Sequence, residues 1–295
     1  MIDAIVPFHR ESDIENLFSW QMGSFRDFIF VLVHDSSFRT CEGECQKLLA
    51  SGSNVRVICG EFGAPGLARN AGMAISANEW IVFLDGDDTP NLESIMKISR
   101  EASQRDCNVY MGSFREVDPL NNVDKIREIP IRNISQYIAK NPGLWRFGFK
   151  RNLLDEVTFT SHRWGEDQLF LLNILSQPGI CIHIQNECVY EYKIYRGNRL
   201  TNKSDLVTDL LQVLAIEFSQ FSKVRKRDVN ELYDLLTTKQ ILTIIYRLRS
   251  RSPKGVIAKA FFFPLSLRRL GRKFIFVGSI FCIKFTRAYR KNSYQ

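Results

Sequence analysis

Four short apolar runs, alternating with helical stretches, constrain this chain more than any other feature. Ala4–Phe8, Phe28–Val33, Val55–Cys59 and Trp80–Leu84 are rich in Val, Ile and Phe. Runs this short suit strands buried in a parallel sheet, although Val55–Cys59 alternates in polarity. Between them, Asp13–Trp20, Glu42–Ala50 and Leu67–Ser76 read as helices. Strand and helix alternate in this way as far as about residue 88, which predicts an α/β sheet with right-handed crossovers. Val109–Phe114 reads as a further strand, and the pattern loosens beyond Asp118. Cys181–His183 and Cys188–Tyr192 read as closing strands. From Asp205 to Arg251 the period turns helical, through Leu206, Leu210, Leu211, Leu214 and Phe218 and later Leu232, Leu236, Ile241 and Ile244. A boundary near Asn202–Asp205 follows, with an α/β domain over 1–204 and a helical, basic region over 205–295.

Hydrophobic residues at 45% and aromatics at 12% supply a sizeable core and exclude a disordered chain. The net charge of +8 is uneven. Of 40 Lys and Arg, 14 lie between Leu235 and Gln295, which holds no acid, so the rest carries 26 bases against 32 acids. That asymmetry assigns the tail its own anionic partner. Residues 254–291 mix Phe with Lys and Arg, and Leu270, Phe274, Val277, Phe281, Phe285 and Ala288 share one helical face. The apolar stretch Phe274–Ile283 is too short to span a bilayer, so we expect a peripheral anchor on anionic lipid. A helix pair packed on the catalytic domain is the alternative. No nucleic-acid partner is expected, because no recognition motif accompanies the basic residues.

Asp3 and the early polar turn of the N-terminus read as a buried first strand rather than a secretion signal. The seven cysteines show no C-x-x-C pair and their count is odd, which predicts thiols in a reducing compartment. Together these features lead us to expect a cytoplasmic protein, peripheral on the inner face of the membrane. The four histidines, His9, His34, His162 and His183, show no metal-binding spacing and read as structural.

The chemistry concentrates in residues 63–90, GAPGLARNAGMAISANEWIVFLDGDDTP. The run Trp80–Leu84 delivers Asp85, Asp87 and Asp88 at its carboxyl end, where open α/β sheets bind ligands. Carboxylates this crowded repel one another, and a hard divalent cation with phosphate ligands offsets them. Gly86 lets the backbone pass close to the cluster. A solvated acidic turn is the plain alternative. Asp85-Gly86-Asp87-Asp88-Thr89 also fits the D-x-D-x-T loop of haloacid-dehalogenase-like phosphatases, in which Asp85 would attack phosphate. That reading needs a domain starting near this strand and a later G-D-x-x-x-D loop, and neither is present. A third reading is a catalytically silent module that binds glycan or membrane.

The flanking residues favour a different family. Gly66-x-x-Arg69-Asn70-x-Gly72, a short helix and then FLDGDD resemble the central signature of family 2 glycosyltransferases with the GT-A fold. The resemblance runs in order along roughly residues 2–202. Ile5-Val6-Pro7-Phe8 resembles the family's first strand, and Val33-His34-Asp35-Ser36-Ser37 its V-D-D-G-S strand end. Trp145–Arg151 resembles the lead into the acceptor half. Trp164-Gly165-Glu166-Asp167-Gln168-Leu169-Phe170 resembles the G-E-D-x-x-F segment, and Tyr192–Arg196 the closing Y-x-Y-R strand. The chain departs from the pattern at His9, Arg10 and His34, all around the nucleotide base.

The resemblance implies a GT-A fold, Rossmann-like with a mostly parallel central sheet, divided into a nucleotide-sugar half (1–115) and an acceptor half (116–204). It implies inverting transfer from a nucleotide-diphosphate sugar, most often a UDP-sugar, to a glycan or lipid-linked glycan hydroxyl. Pro7 and Phe8 would pack beside the base, Asp35 would bond it, and Arg69 would lie near the base or its phosphate. Asp85 would approach the ribose. Asp87, with Asp85 and Asp88, would hold Mn²⁺ or Mg²⁺, and Asp167 would be the catalytic base. Read from spacing alone, Glu166 and Asp167 would be ordinary first-turn helix acids. Trp145 and Trp164 read equally as platforms for acceptor sugars or as core.

Overall fold

The computed structural model describes residues 1–37, 42–130, 132–194, 206–221 and 227–249 of the chain. The expected tail anchor, the Tyr195-Arg196 end of the closing motif and the boundary near Asn202–Asp205 lie outside these residues. The chain divides into two compact units, Met1–Tyr233 and Asp234–Gln295.

The first unit opens with the expected alternation: β1 (Ile2–Phe8), α1 (Glu11–Ser19), β2 (Phe28–Asp35), α2 (Glu42–Ala50), β3 (Val55–Gly60), α3 (Pro65–Ile75) and β4 (Trp80–Phe83). These are followed by β5 (Thr89–Pro90), α4 (Leu92–Gln104), β6 (Val109–Asp118), β7 (Val123–Arg127), α5 (Ile134–Lys140), β8 (Phe147–Lys150), α6 (Glu166–Leu175) and β9 (Ile182–Lys193). The helical period read from Asp205 onward corresponds to α7 (Leu206–Phe221) and α8 (Arg227–Arg249). No helix among the described residues is long and apolar enough to cross a membrane.

One sheet runs in the order β3-β2-β1-β4-β8-β6-β9-β5, with β7 added to β6. The first four strands are all parallel, so β1, β2, β3 and β4 end along one edge. The later half is mixed: β8 is antiparallel to both β4 and β6, and β9 is parallel to β6. Residues alternate between two buried faces. Ala4, Val6, Phe30, Leu32 and Val82 share a core with Ile14 and Leu17 of α1, Leu48 of α2, and Ile95 and Ile98 of α4. On the other face Phe83 meets Phe159 and Phe170 edge-on, with ring centroids 5.2 and 5.4 Å apart. Burying an aromatic this completely is worth about 2–3 kcal/mol.

Polar residues fix the joints. Asp3 is fully buried in β1, yet its carboxylate accepts the Ala77 and Asn78 amides and the Asn78 side chain, each at 2.8 Å. It therefore clamps the turn between α3 and β4, and its burial is compensated. The two closing strands expected from the sequence are one strand, β9, interrupted by a register shift opposite Gly112–Ser113. Polar residues in that irregularity have local partners: the Asn186 side chain accepts the Ile129 amide at 2.6 Å, and Glu187 pairs with Lys97 at 2.7 Å. This polar break in a continuous strand is what made the sequence read as two. Cys107 and Cys181 are joined as a disulfide, which corrects the expectation that all the cysteines are thiols. They precede adjacent parallel strands, and the register that pairs Val109 with Ile182 brings them together.

Trp145 belongs to the core. It is 9% exposed and stacks on Tyr190 at 4.5 Å and on Tyr192 at 5.3 Å. His183 is buried against Gln185 and Glu101.

Candidate active site

The end of β4 carries the acidic turn. The Asp88 amide donates to the Asp85 carbonyl at 3.2 Å, and the Asp85 amide donates to the Tyr190 hydroxyl at 3.1 Å. Gly86 lets the turn pass closely, since a Cβ there would stand 3.2 Å from Phe8 Cβ and 3.3 Å from the Pro7 carbonyl and press both back by a few tenths of an ångström. The acidic turn therefore lies directly against the end of β1, beside Pro7 and Phe8. The three aspartates then take different directions. Asp85 is gripped by Arg69 at 3.1 Å, and Asp87 lies 3.7 Å from Arg10. Asp88 is buried, and one of its carboxylate oxygens accepts the Lys193 amide at 2.9 Å. Asn16 donates to the carbonyls of both Gly86 and Asp88, at 2.9 and 2.6 Å. Asp88 thus braces the turn against β9, whereas Asp85 and Asp87 keep about a third of their side chains open.

Helix α3 delivers Arg69 by virtue of its neighbours' small size. A Cβ on Gly72 would lie 2.4 Å from Ile5 Cγ2, and one on Gly66 would lie 2.6 Å from the Thr160 carbonyl. Pro65 starts the helix, where its missing N–H costs nothing. Asn70 donates to the Phe159 carbonyl at 2.9 Å and accepts the Phe159 amide at 2.8 Å, which ties α3 to the segment before α6. Arg69, between these contacts, is 8% exposed. Its guanidinium reaches Asp85 Oδ1 at 3.1 Å and Glu166 Oε1 at 3.0 Å, and lies 5.4 Å from the centre of the Phe159 ring.

Glu166 and Asp167 form the first turn of α6, which begins at Gly165 with a left-handed φ of 86°. Burial pushes the Glu166 carboxyl up to about 7, and the charge of Asp167 adds to this against the pull of Arg69. Burial also raises Asp85; Arg69 opposes the rise, while Asp87 and Asp167 reinforce it. Four carboxyl groups, Asp85, Asp87, Glu166 and Asp167, therefore face two guanidiniums, Arg69 and Arg10. The excess is negative, and it consists of oxygen ligands suited to a hard cation. Asp85 and Asp87 fit Mn²⁺ or Mg²⁺ by donor chemistry and openness better than the braced Asp88.

At the end of β2, Asp35 accepts the Ser37 and Phe62 amides, both at 3.1 Å. Burial pushes its carboxyl up, but hydrogen bonds from Ser37, Gly63 and Phe62 outweigh this and hold it below the ordinary range. Phe8 packs on His34 with ring centroids 5.0 Å apart. The ends of β1, β2 and β4 thus gather Pro7, Phe8, Asp35 and Asp85 along one sheet edge, and Arg69 links Asp85 to the start of α6.

Two residues were underweighted by sequence reasoning. Glu166 looked like an accompaniment to Asp167, and only the fold shows that it takes one end of the Arg69 bridge. Arg10, a departure from the family pattern, is placed beside Asp87. The phosphatase reading also loses its premise, because three strands, β1 to β3, precede β4 in the chain and share its sheet.

The family model described as Glycosyl transferase family 2 matches residues 4–164. Among characterised proteins, the chain is 22% identical to glycosyltransferase GlyG of Streptococcus pneumoniae serotype 4, over 77% of this chain and 87% of that one. It is 23% identical to succinoglycan biosynthesis protein ExoO of Rhizobium meliloti, over 70% of this chain and 65% of that one. Among solved structures, S. aureus TarS 1–349 in complex with UDP-GlcNAc superposes with a TM-score of 0.62 at 15% identity, covering 86% of this chain and 74% of that 1–349 chain. The mannosyltransferase PcManGT of Pyrobaculum calidifontis, in complex with GDP-Man and Mn²⁺, gives 0.58 at 14% identity, over 96% of this chain and 80% of that one. These likenesses bear out the expected GT-A fold. With the family model spanning more than half its length, the chain belongs to the family 2 glycosyltransferases.

Proposed function

We propose that this glycosyltransferase moves a sugar from a nucleotide-diphosphate donor, a UDP-sugar, to a hydroxyl of a glycan or lipid-linked glycan in cell-surface polysaccharide synthesis. The reaction is a single displacement with inversion that depends on Mn²⁺ or Mg²⁺. The observation that carries this reading is the Arg69 bridge, which joins Asp85 after β4 to Glu166 at the start of α6, 97 residues beyond Arg69 in the sequence. TarS was crystallised with UDP-GlcNAc, PcManGT with GDP-Man and Mn²⁺, and ExoO is named for succinoglycan biosynthesis. TarS supports the UDP-sugar donor, PcManGT a nucleotide-diphosphate donor with Mn²⁺, and ExoO the polysaccharide pathway.

In this reading Pro7 and Phe8 wall the base and Asp35, kept ionised by its amide donors, accepts a hydrogen bond from it. Asp85 faces the ribose, and Asp87 with Asp85 holds the cation, which supplies charge neutralisation for the departing diphosphate. Arg69 is a positioning residue: it fixes Asp85 and Glu166 rather than reaching the phosphate alone. Asp167 takes the proton of the acceptor hydroxyl, a poor nucleophile until it is deprotonated. The diphosphate is already a good leaving group, so no covalent nucleophile is required. The catalytic domain is 1–204, and the basic tail in 205–295 holds the enzyme on anionic lipid.

A panel of nucleotide sugars, screened for thermal stabilisation with Mn²⁺ and then for donor hydrolysis, tests the proposal. Stabilisation by one donor, with hydrolysis reduced roughly 100-fold or more in Asp87→Ala, is expected. Hydrolysis that is indifferent to Mn²⁺ and to Asp87→Ala would refute the metal assignment.

A further inference from the structure

On the side of the sheet covered by α2, the register of β2 and β3 sets His34 opposite Cys59. Cys45 of α2 completes a group in which one imidazole nitrogen and two sulfurs all lie within 4.8 Å of one another. His34 is 1% exposed, and its Nε2 has no hydrogen-bond partner among the described residues. A buried ring nitrogen left in that state costs about 1–3 kcal/mol, so the arrangement calls for a ligand. Cys45 is buried and Cys59 is open to solvent, and both remain thiols. The group is therefore closed on the core side and reachable from outside.

Two sulfurs and an imidazole are soft to borderline donors, unlike the all-oxygen cluster after β4. Such a set selects Zn²⁺ and related thiophilic ions over Mg²⁺ or Mn²⁺. We propose that His34, Cys45 and Cys59 form a second metal site, for Zn²⁺, distinct from the acidic turn. As each metal–sulfur bond forms, the thiol gives its proton to solvent, and His34 binds through a neutral ring nitrogen. Zinc–sulfur and zinc–nitrogen bonds of about 2.3 and 2.0 Å bring tetrahedral donors to within roughly 4 Å of each other. The group, already gathered within 4.8 Å, closes onto the ion on loading, and the exposed Cys59 side chain has the freedom to do so. The acidic turn and Asp167 supply no ligand to this site, but His34 packs on Phe8 and precedes Asp35 of the proposed base pocket, so the test reads metal binding and not transfer.

The reduced full-length protein, titrated anaerobically with Co²⁺ as a spectroscopic stand-in for Zn²⁺, tests the site without any activity assay. The sulfur-to-cobalt charge-transfer absorption and the intense visible bands of a tetrahedral ion are expected to saturate at one ion per chain, and both to be erased by added Zn²⁺. Cys59→Ser should lose at least half of the charge-transfer intensity, His34→Gln should weaken binding at least about tenfold, and Cys188→Ser should match wild type. Circular dichroism confirms folding, and Cys59→Ser, at an exposed position, carries the test if Cys45→Ser does not fold. Absence of the bands in wild type, or unchanged bands in Cys59→Ser and His34→Gln, would overturn the proposal.

Discussion

Arg69 illustrates how little of a residue's role its motif discloses. The sequence places it in G-x-x-R-N-x-G and, by resemblance, beside the nucleotide; the structure spends its guanidinium on Asp85 and Glu166. Burial, with the charge of Asp167 beside it, holds Glu166 up near 7 although Arg69 pulls it down. The sign of the consequence is fixed. A carboxyl whose folded value lies above its ordinary 4.5 contributes stability that is complete below about 4.5 and lost as pH rises through about 7. In metal-free protein, Glu166→Gln should therefore gain on wild type across that window by about 3 kcal/mol, read from paired urea titrations. A difference that stays flat with pH would show that Arg69 neutralises Glu166 fully. Asp35 and Asp167 were legible as candidates because their neighbours match a motif. Asp88 was not separable from Asp87 by sequence, since only the fold directs the Lys193 amide to it.

At the scale of elements, the four parallel strands were legible because each is a short apolar run between helical stretches. Strand β9 was not, because its polar irregularity looks like a loop until Asn186 and Glu187 are seen to have partners outside the strand. The α3 motif gains a mechanical meaning that the sequence lacked. Gly72 lets the helix settle onto Ile5, and Asn70 fastens it to the backbone before α6. Asn70→Ala would leave the buried N–H and C=O of Phe159 unanswered, and about 1–3 kcal/mol should be lost in chemical denaturation. Gly72→Ala forces a methyl into Ile5 and should cost about 1–3 kcal/mol. If both variants unfold like wild type, α3 is not the strut that sets Arg69. Should Asn70→Ala also reduce transfer more than the stability loss explains, the strut and the site are coupled.

For the whole molecule, composition divided the charge clearly, with 14 bases and no acid from Leu235 to Gln295, but composition does not say what a basic surface touches. The proposed anchor makes a direct expectation: full-length protein floats with liposomes containing anionic lipid and stays behind with neutral ones. Failure to float with either would end it. The juxtaposition of two distant acidic segments is likewise a property of the fold, since local sequence cannot show that residues 85 and 166 meet. The proposed reaction requires those segments to serve one donor and one acceptor. Asp167→Asn separates the two duties most directly, with Mn²⁺-dependent nucleotide-sugar binding and sugar transfer measured on the same preparation. Binding within a few-fold of wild type together with transfer reduced by a factor of about 100 or more is the predicted result. Transfer at the wild-type rate would contradict it.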